Sequence, residues 1–226
     1  MEPVADSFQA FLEDIFSGWF ALESRKLAQR YIDGLREAYV DCGGDEVWDA
    51  FEKVAHGVST KDLAKLRELY PELPASLEEL LQFADGTYYR EYQKGEKVCL
   101  YFLGSDLEEY PYYLLSAKQM IKTRNDFRDW GDYLICREYD DIPVDGRITD
   151  DLEGLRWLHF SDCMNNGGSS QLFLDFSPSG TGKAGQVICY LHDPDKLAVI
   201  ADSFDEYLEL LMEREYDFVN EDTVDE

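Results

Sequence analysis

The stretch SQLFLDFSPSGTGKAGQVICYLH, residues 170 to 192, is the clearest indication of the fold in the sequence. Two β-prone runs, 170–176 and 186–192, flank a segment rich in glycine, serine and proline. Its centre, Gly180-Thr181-Gly182-Lys183, resembles part of a phosphate-binding loop, which requires G-x-x-x-x-G-K-[ST] followed by a helix. Here Ala184 follows the lysine, the two glycines are too close together, and a β run comes next. The stretch therefore predicts a β-hairpin whose loop glycines supply positive φ, and it gives no support to a nucleotide-binding enzyme.

The residues around this hairpin predict helices first and strands later. Apolar residues at helical spacing mark two helices before Gly43-Gly44 and a third after it. More helices are predicted at 59–70, at 77–84 with Ser76 as N-cap after an extended Pro74, at 117–130, and after Ser203 as a second N-cap. Short strands are predicted at 98–104, 112–116, 155–161 and 197–202. This order indicates an α+β fold, with an antiparallel or mixed sheet that helices cover on one face.

The chain divides by pattern into three parts. Residues 1–58 form a helical N-terminal extension, 59–215 form the main domain, and 216–226 form an acidic tail expected to fray. Within the main domain, residues 137–154 are polar, acidic and rich in turn residues, which predicts a long surface loop.

Charge is the strongest feature of the composition. The chain has 21 basic and 48 acidic side chains, a net charge of −27. Such a surface repels nucleic acid and anionic lipid, and it attracts basic partners with salt-sensitive association rates. The alternative is that acidity only keeps the protein soluble. Five widely spaced cysteines, with neither a signal peptide nor a membrane-spanning helix predicted, favour a cytoplasmic location.

Catalytic and metal-binding patterns are not found in the sequence. The histidines are scattered without a second ligand at helical spacing, and the acidic pairs are too common to indicate catalysis. No enzyme activity, metal or cofactor is therefore expected. Tyrosine and acidic residues instead cluster in several segments, and tyrosine is enriched at protein interfaces, although half of these tyrosines could simply pack on the sheet. The predicted partner-binding residues are Tyr88, Tyr89, Tyr92, Asp106, Glu108, Glu109, Tyr110, Tyr112, Asp140, Asp141, Asp150, Asp151 and Glu153.

Two blocks of the sequence carry a family resemblance. The first is LPASLEELLQFADG, and the second runs from GGSSQLFLDF through the hairpin to DSFDEYLELL. Together they resemble the SUKH superfamily, and within it the SMI1/KNR4 group, over residues 59 to 215. The matching positions are Leu73, Pro74, Asp85, Gly86, Gly185, Gln186, Val187, His192, Asp193, Ala201, Ser203, Phe204, Tyr207 and Leu208.

The resemblance implies an α+β fold and a non-enzymatic role. Bacterial members of the family act as immunity proteins that neutralise toxins, commonly nucleases, and fungal members act as regulators or scaffolds in cell-wall synthesis. The matching residues are expected to be structural. The expected partner is a protein, most simply a basic toxin domain, with no nucleic acid or membrane involved, and the regulatory scaffold is the alternative. The oligomeric state is left open.

Overall fold

The computed structural model describes the backbone of residues 4–88, 90–93, 96–105, 111–163 and 170–224, and their side chains except those of 4–17, 90–93 and 96–98. The elements follow in the order α1 (Val4–Asp41), α2 (Asp45–Val54), α3 (Thr60–Leu69), α4 (Ala75–Phe83), β1 (Arg90–Gln93), β2 (Glu96–Val98), β3 (Leu103–Gly104), β4 (Pro111–Leu114), α5 (Ala117–Thr123), α6 (Asp126–Trp130), α7 (Asp132–Ile135), β5 (Trp157–Cys163), β6 (Gln171–Asp175), β7 (Gln186–Leu191), β8 (Lys196–Ala201), α8 (Phe204–Glu213) and α9 (Glu221–Val224).

A six-stranded sheet in the order β3-β4-β5-β6-β7-β8 forms the centre of the fold, and every neighbouring pair is antiparallel. The predicted hairpin is confirmed, since Gln171 pairs with Tyr190 and Asp175 pairs with Gln186. Gly185 has a φ of +88° in the hairpin loop, a backbone conformation that L side chains rarely adopt. The α+β class is therefore confirmed. The small β1-β2 sheet was not predicted, because its strands are short and polar.

Both faces of the large sheet are buried. Leu172 and Val187 point into one hydrophobic cluster with α1, α4 and α8, whereas Phe173 and Ile188 point into a second cluster. Residues of α6, α7 and the segment 137–154 cover this second face, where Ile148 is 1% exposed. The prediction of helices on one face is therefore wrong, because apolar residues spaced through an acidic segment cover the other.

Helix α1 is continuous where two helices were predicted. Its side chains from Leu27 to Tyr39 contribute to the first cluster. The hydroxyls of Tyr31 and Tyr39 donate hydrogen bonds to the carbonyl oxygens of Phe102 and Tyr101, at 2.6 and 2.8 Å. These carbonyls belong to the segment that leads into edge strand β3, so α1 both buries apolar surface and satisfies backbone acceptors beside the sheet edge.

The first residues of the predicted acidic tail pack against the core. Tyr216 and Phe218 are 7% and 1% exposed, and the Tyr216 hydroxyl donates to the carbonyl oxygen of Tyr31 at 2.9 Å. The start of the predicted acidic tail is thus buried against α1. The division of the chain at residues 58 and 215 stays a prediction, although described residues from all three parts share the first hydrophobic cluster.

Two predicted N-caps have different outcomes. Ser203 caps α8, because its side chain accepts a hydrogen bond from the Glu206 N–H at 3.1 Å. Ser76 does not cap α4, which begins at Ala75 after Pro74, and the Ser76 hydroxyl donates instead to the carboxylate of Asp205.

Candidate interaction site

The predicted tyrosines do not form an exposed patch among the described residues. Tyr112 was predicted as a contact residue, but its side chain is fully buried, with its hydroxyl 3.7 Å from the sulfur of Cys189. Its side chain packs in the first hydrophobic cluster as a core residue. Tyr88 is half-buried and stacks on Tyr113 with ring centroids 4.7 Å apart. Tyr89, Asp106, Glu108, Glu109 and Tyr110 lie outside the described residues, as does the side chain of Tyr92.

The acidic segment 137–154 is fixed to the sheet. The N–H of Asp145 donates to the carbonyl oxygen of Leu197 in β8 at 2.9 Å, and the Leu197 N–H donates to Pro143 at 3.0 Å. The guanidinium of Arg147 lies 2.8 Å from the carboxylate of Asp145, and this hydrogen bond lowers the pKa of Asp145. The segment therefore presents its remaining acidic groups from a defined position.

The predicted acidic residues of this segment are all exposed. The Asp151 carboxylate accepts a hydrogen bond from the N–H of Gly154 and so shapes a turn, and Glu153 forms an ion pair of 2.6 Å with Arg128 in α6. Asp150 is exposed nearby in sequence. Asp140 and Asp141 lie at the other end of the segment, where Asp141 lines a pocket.

This pocket, here called the acidic pocket, has a volume of about 640 Å³. It joins the segment 137–154 to the turn between β7 and β8, and its lining residues are Asp141, Ile142, Pro143, His192, Asp193, Pro194 and Asp195. Three carboxylates and one imidazole thus surround a partly apolar floor. No group of three or more residues in the described part of the chain has the arrangement of a metal site.

Two tyrosines orient Asp195 at the pocket wall. The hydroxyls of Tyr133 and Tyr190 donate to its two carboxylate oxygens at 2.6 and 2.9 Å, and Nδ1 of His192 lies 3.1 Å from the second oxygen. Burial opposes ionisation of Asp195, but the hydrogen bonds from Tyr133, Tyr190 and His192 outweigh it and lower the pKa of this carboxyl. Burial and the bond to Asp195 raise the pKa of Tyr133 to about 12. Asp195 is therefore held as a carboxylate.

Two exposed aromatic rings contact the tyrosines that hold Asp195. Tyr139 is 55% exposed, and its ring centroid lies 6.0 Å from that of Tyr133. Trp130, at the end of α6, is 38% exposed and lies 5.0 Å from the ring of Tyr190. Exposed aromatic rings beside carboxylates suit lysine and arginine side chains, through ion pairs at the carboxylates and cation–π contacts at the ring faces. The site has the composition of an interface centre that binds a basic surface.

Few of the residues in and around the acidic pocket were predicted from the sequence. Asp140 and Asp141 were predicted, whereas Trp130, Tyr133, Tyr139, Tyr190, His192, Asp193 and Asp195 were not. The run His192-Asp193-Pro194-Asp195 was visible as an acidic turn, but no local pattern places it against residues near 140. That juxtaposition depends on the contact between the segment 137–154 and β8.

The comparisons with known proteins agree with the fold. A model of the SMI1 / KNR4 family (SUKH-1) matches residues 57–210, which include the whole sheet and the acidic pocket. A search of curated proteins found no match. Across the residues that the structure describes, no helix is both long and apolar enough to cross a bilayer.

Proposed function

Because the chain belongs to the SMI1 / KNR4 family (SUKH-1), we propose that it is a non-enzymatic immunity protein that neutralises a cognate toxin by stoichiometric binding. Family membership supports a protein-interaction domain with an immunity or a regulatory role. The choice of toxin neutralisation rests on the acidic pocket, which three carboxylates line, and on two exposed aromatic rings that contact the tyrosines bonded to Asp195, in a chain of net charge −27.

Electrostatics connects this pocket with a basic toxin, such as a nuclease. A nuclease holds phosphate groups with a positive surface, and a strongly negative protein presents a similar field to that surface. Association would be fast at low salt and slower as salt rises, because long-range attraction is screened. Asp141 and Tyr139 would contact lysine or arginine side chains of the toxin, and occupation of its basic face would exclude its substrate.

A regulatory scaffold is the second candidate, and one observation favours it. Trp19, Phe20 and Leu22 of α1 are 55%, 61% and 49% exposed, and they lie outside the family match. An apolar surface beyond the common domain would suit a protein with an additional partner. The two candidates predict different capture results.

The experiment is affinity capture from the source organism at low salt, followed by elution across a salt gradient and mass spectrometry. The wild type is compared with the double variant Asp141→Lys/Tyr139→Ser and with Asp49→Lys/Val40→Ser, which makes the same charge change at exposed positions on α2 and α1. We expect the wild type and the control to retain one basic protein in a one-to-one ratio, and the pocket variant to lose it.

The inhibition itself is then measured with the captured protein. If that protein is a nuclease, its activity should fall linearly with added wild-type protein and reach zero at equal molar amounts. Equal retention by the pocket variant and the control would contradict the binding site. Complete inactivation at a small fraction of one equivalent would contradict the stoichiometric mechanism, because it would require turnover. Several unrelated regulatory partners would favour the scaffold.

A further inference from the structure

A second surface has the opposite charge character. Helices α3 and α5 pack together, and a groove of about 430 Å³ lies along them. Its lining residues are Lys61, Asp62, Ala64, Lys65, Glu68, Lys118 and Ile121. Three lysines against two carboxylates give this groove a positive local charge on a chain whose net charge is −27. It is here called the lysine groove.

The carboxylates of the lysine groove are largely engaged. Glu68 forms an ion pair with Lys65 at 2.8 Å, and Asp62 accepts a hydrogen bond from the Ser59 hydroxyl at 2.7 Å. The Lys118 ammonium is 3.9 Å from Asp62, a weak contact, and the Lys118 side chain is 66% exposed. Within the described part of the chain, the ammonium of Lys61 forms no hydrogen bond or ion pair. The groove therefore keeps positive charge available to a ligand.

The positions of Lys61 and Lys118 do not serve the stability of their helices. Lys61 and Lys65 are four residues apart on α3, as are Lys118 and Lys122 on α5, and such like-charge pairs cost about 0.2–0.5 kcal/mol each. Lys61 and Lys118 also occupy the first turn, where the helix dipole favours acidic side chains, and α5 has no acidic residue there. A costly arrangement on two packed helices favours a role in binding over a role in folding.

Charge and shape together define the occupant. Ala64 and Ile121 form an apolar strip between the lysines, which suits one apolar side chain flanked by carboxylates. A nucleic acid is disfavoured, because a chain with a net charge of −27 repels phosphate. A second copy would also bring a net charge of −27 close to the first. We propose that the lysine groove binds a short acidic segment of another protein, with an apolar side chain on Ala64 and Ile121. This proposal is independent of the acidic pocket.

The test uses the full chain and a defined probe, a fluorescein-labelled dodecapeptide of three Asp-Glu-Leu-Glu repeats. Anisotropy gives the affinity, and amide chemical shifts of the ¹⁵N-labelled protein locate the peptide. The site variant is Lys61→Glu/Lys118→Glu. The control is Arg36→Glu/Lys53→Glu, which gives the same net charge at exposed positions on α1 and α2. A second peptide with serine in place of leucine tests the apolar contact.

We expect saturable binding whose shifts are confined to residues 60–69 and 117–123, an affinity at least about tenfold lower in the site variant, and little change in the control. The serine peptide should bind more weakly than the leucine peptide. The site variant should melt close to the wild-type temperature, because the helix dipole favours glutamate in a first turn and so offsets the loss of the weak Lys118–Asp62 contact. Its loss of binding will therefore not be a loss of fold.

Three results would overturn the proposal. Equal weakening in the site variant and the control would show that only net charge matters. Shifts spread over the whole surface, or none at millimolar peptide, would show that the groove is not a binding site. A dimer in light scattering that the site variant dissociates would assign the groove to self-association.

Discussion

Removing the side chain of Leu35 tests whether α1 is part of the folded core or a separate extension. Leu35 is 0% exposed and lies in α1, outside the family match of residues 57–210, but it belongs to the same hydrophobic cluster as the sheet. The substitution Leu35→Ala removes buried methyl groups and leaves a cavity that packed helices fill only in part. Such changes cost about 2–5 kcal/mol. A whole domain has a net stability of only about 5–15 kcal/mol, so the loss should be readily measured.

The same reasoning gives a larger effect for removal of residues 1–58. The truncation removes seven large side chains of α1 and α2 that are at most 4% exposed, and with them their contribution to the core. They are Leu27, Tyr31, Ile32, Leu35, Tyr39, Trp48 and Phe51. At about 1.5–3 kcal/mol each, their combined contribution is on the order of 10–20 kcal/mol, an upper estimate because some of them also cover one another. The carbonyls of residues 101 and 102 would also lose their tyrosine donors. Residues 59–226 alone are therefore expected not to fold stably.

Urea denaturation followed by circular dichroism and tryptophan fluorescence measures both effects. We expect the wild type and Leu35→Ala to unfold in a single transition at both probes, with the variant lower by about 2–5 kcal/mol and with an unchanged slope. The matched control is Leu22→Ala, which lies on the same helix at a site 49% exposed and should change stability by less than about 0.5 kcal/mol. Two separate transitions, or a fragment 59–226 that unfolds cooperatively with near wild-type stability, would show that α1 is not part of the folded core.

Three smaller perturbations test local features. Ser203→Ala removes the N-cap of α8 and should lower the free energy of unfolding by about 1 kcal/mol, whereas Ser203→Asn, which keeps a capping oxygen, should lower it less. Tyr133→Phe removes a hydrogen bond that lowers the pKa of Asp195, so NMR titration should show a higher pKa in the variant. A depressed carboxyl pKa stabilises the fold above the unfolded pKa of about 3.9, so the loss in melting temperature caused by Tyr133→Phe should be present at neutral pH and shrink as pH falls through the folded pKa. Gly57→Ala places a Cβ against the carbonyl group of Gln82 in α4, which cannot move freely, and should destabilise the chain by about 1–3 kcal/mol in the same denaturation assay.

The parts of the fold that sequence predicted are those set by local periodicity and turn chemistry. The strands on either side of Gly185 and the cap at Ser203 followed directly from alternation, glycine and a serine three residues before an acidic residue. Ser76 shows the limit of such reasoning, because α4 begins two residues earlier, after Pro74, and the Ser76 hydroxyl bonds to Asp205 instead of capping the helix. A contact with a residue far along the chain decided that boundary.

The candidate site could not be predicted for a related reason. Residues near Asp141 and Asp195 are far apart in sequence, and their meeting depends on apolar side chains such as Ile148 that a polar, acidic segment conceals. Net charge drew attention to the acidic segment, but charge does not determine which carboxylates surround a pocket. Likewise, the clustering of tyrosines predicted an interface, whereas Tyr112 lies in β4, all of whose residues are buried.

The most direct test of the account is a calorimetric titration of the captured basic partner with the wild type and with Asp141→Lys/Tyr139→Ser, at low and at high salt. We expect one-to-one binding by the wild type that weakens with salt, and an affinity at least tenfold lower, equivalent to about 1.4 kcal/mol, for the variant. Equal affinities for the two proteins, or binding that salt leaves unchanged, would contradict the assignment of the acidic pocket as the surface that recognises the partner.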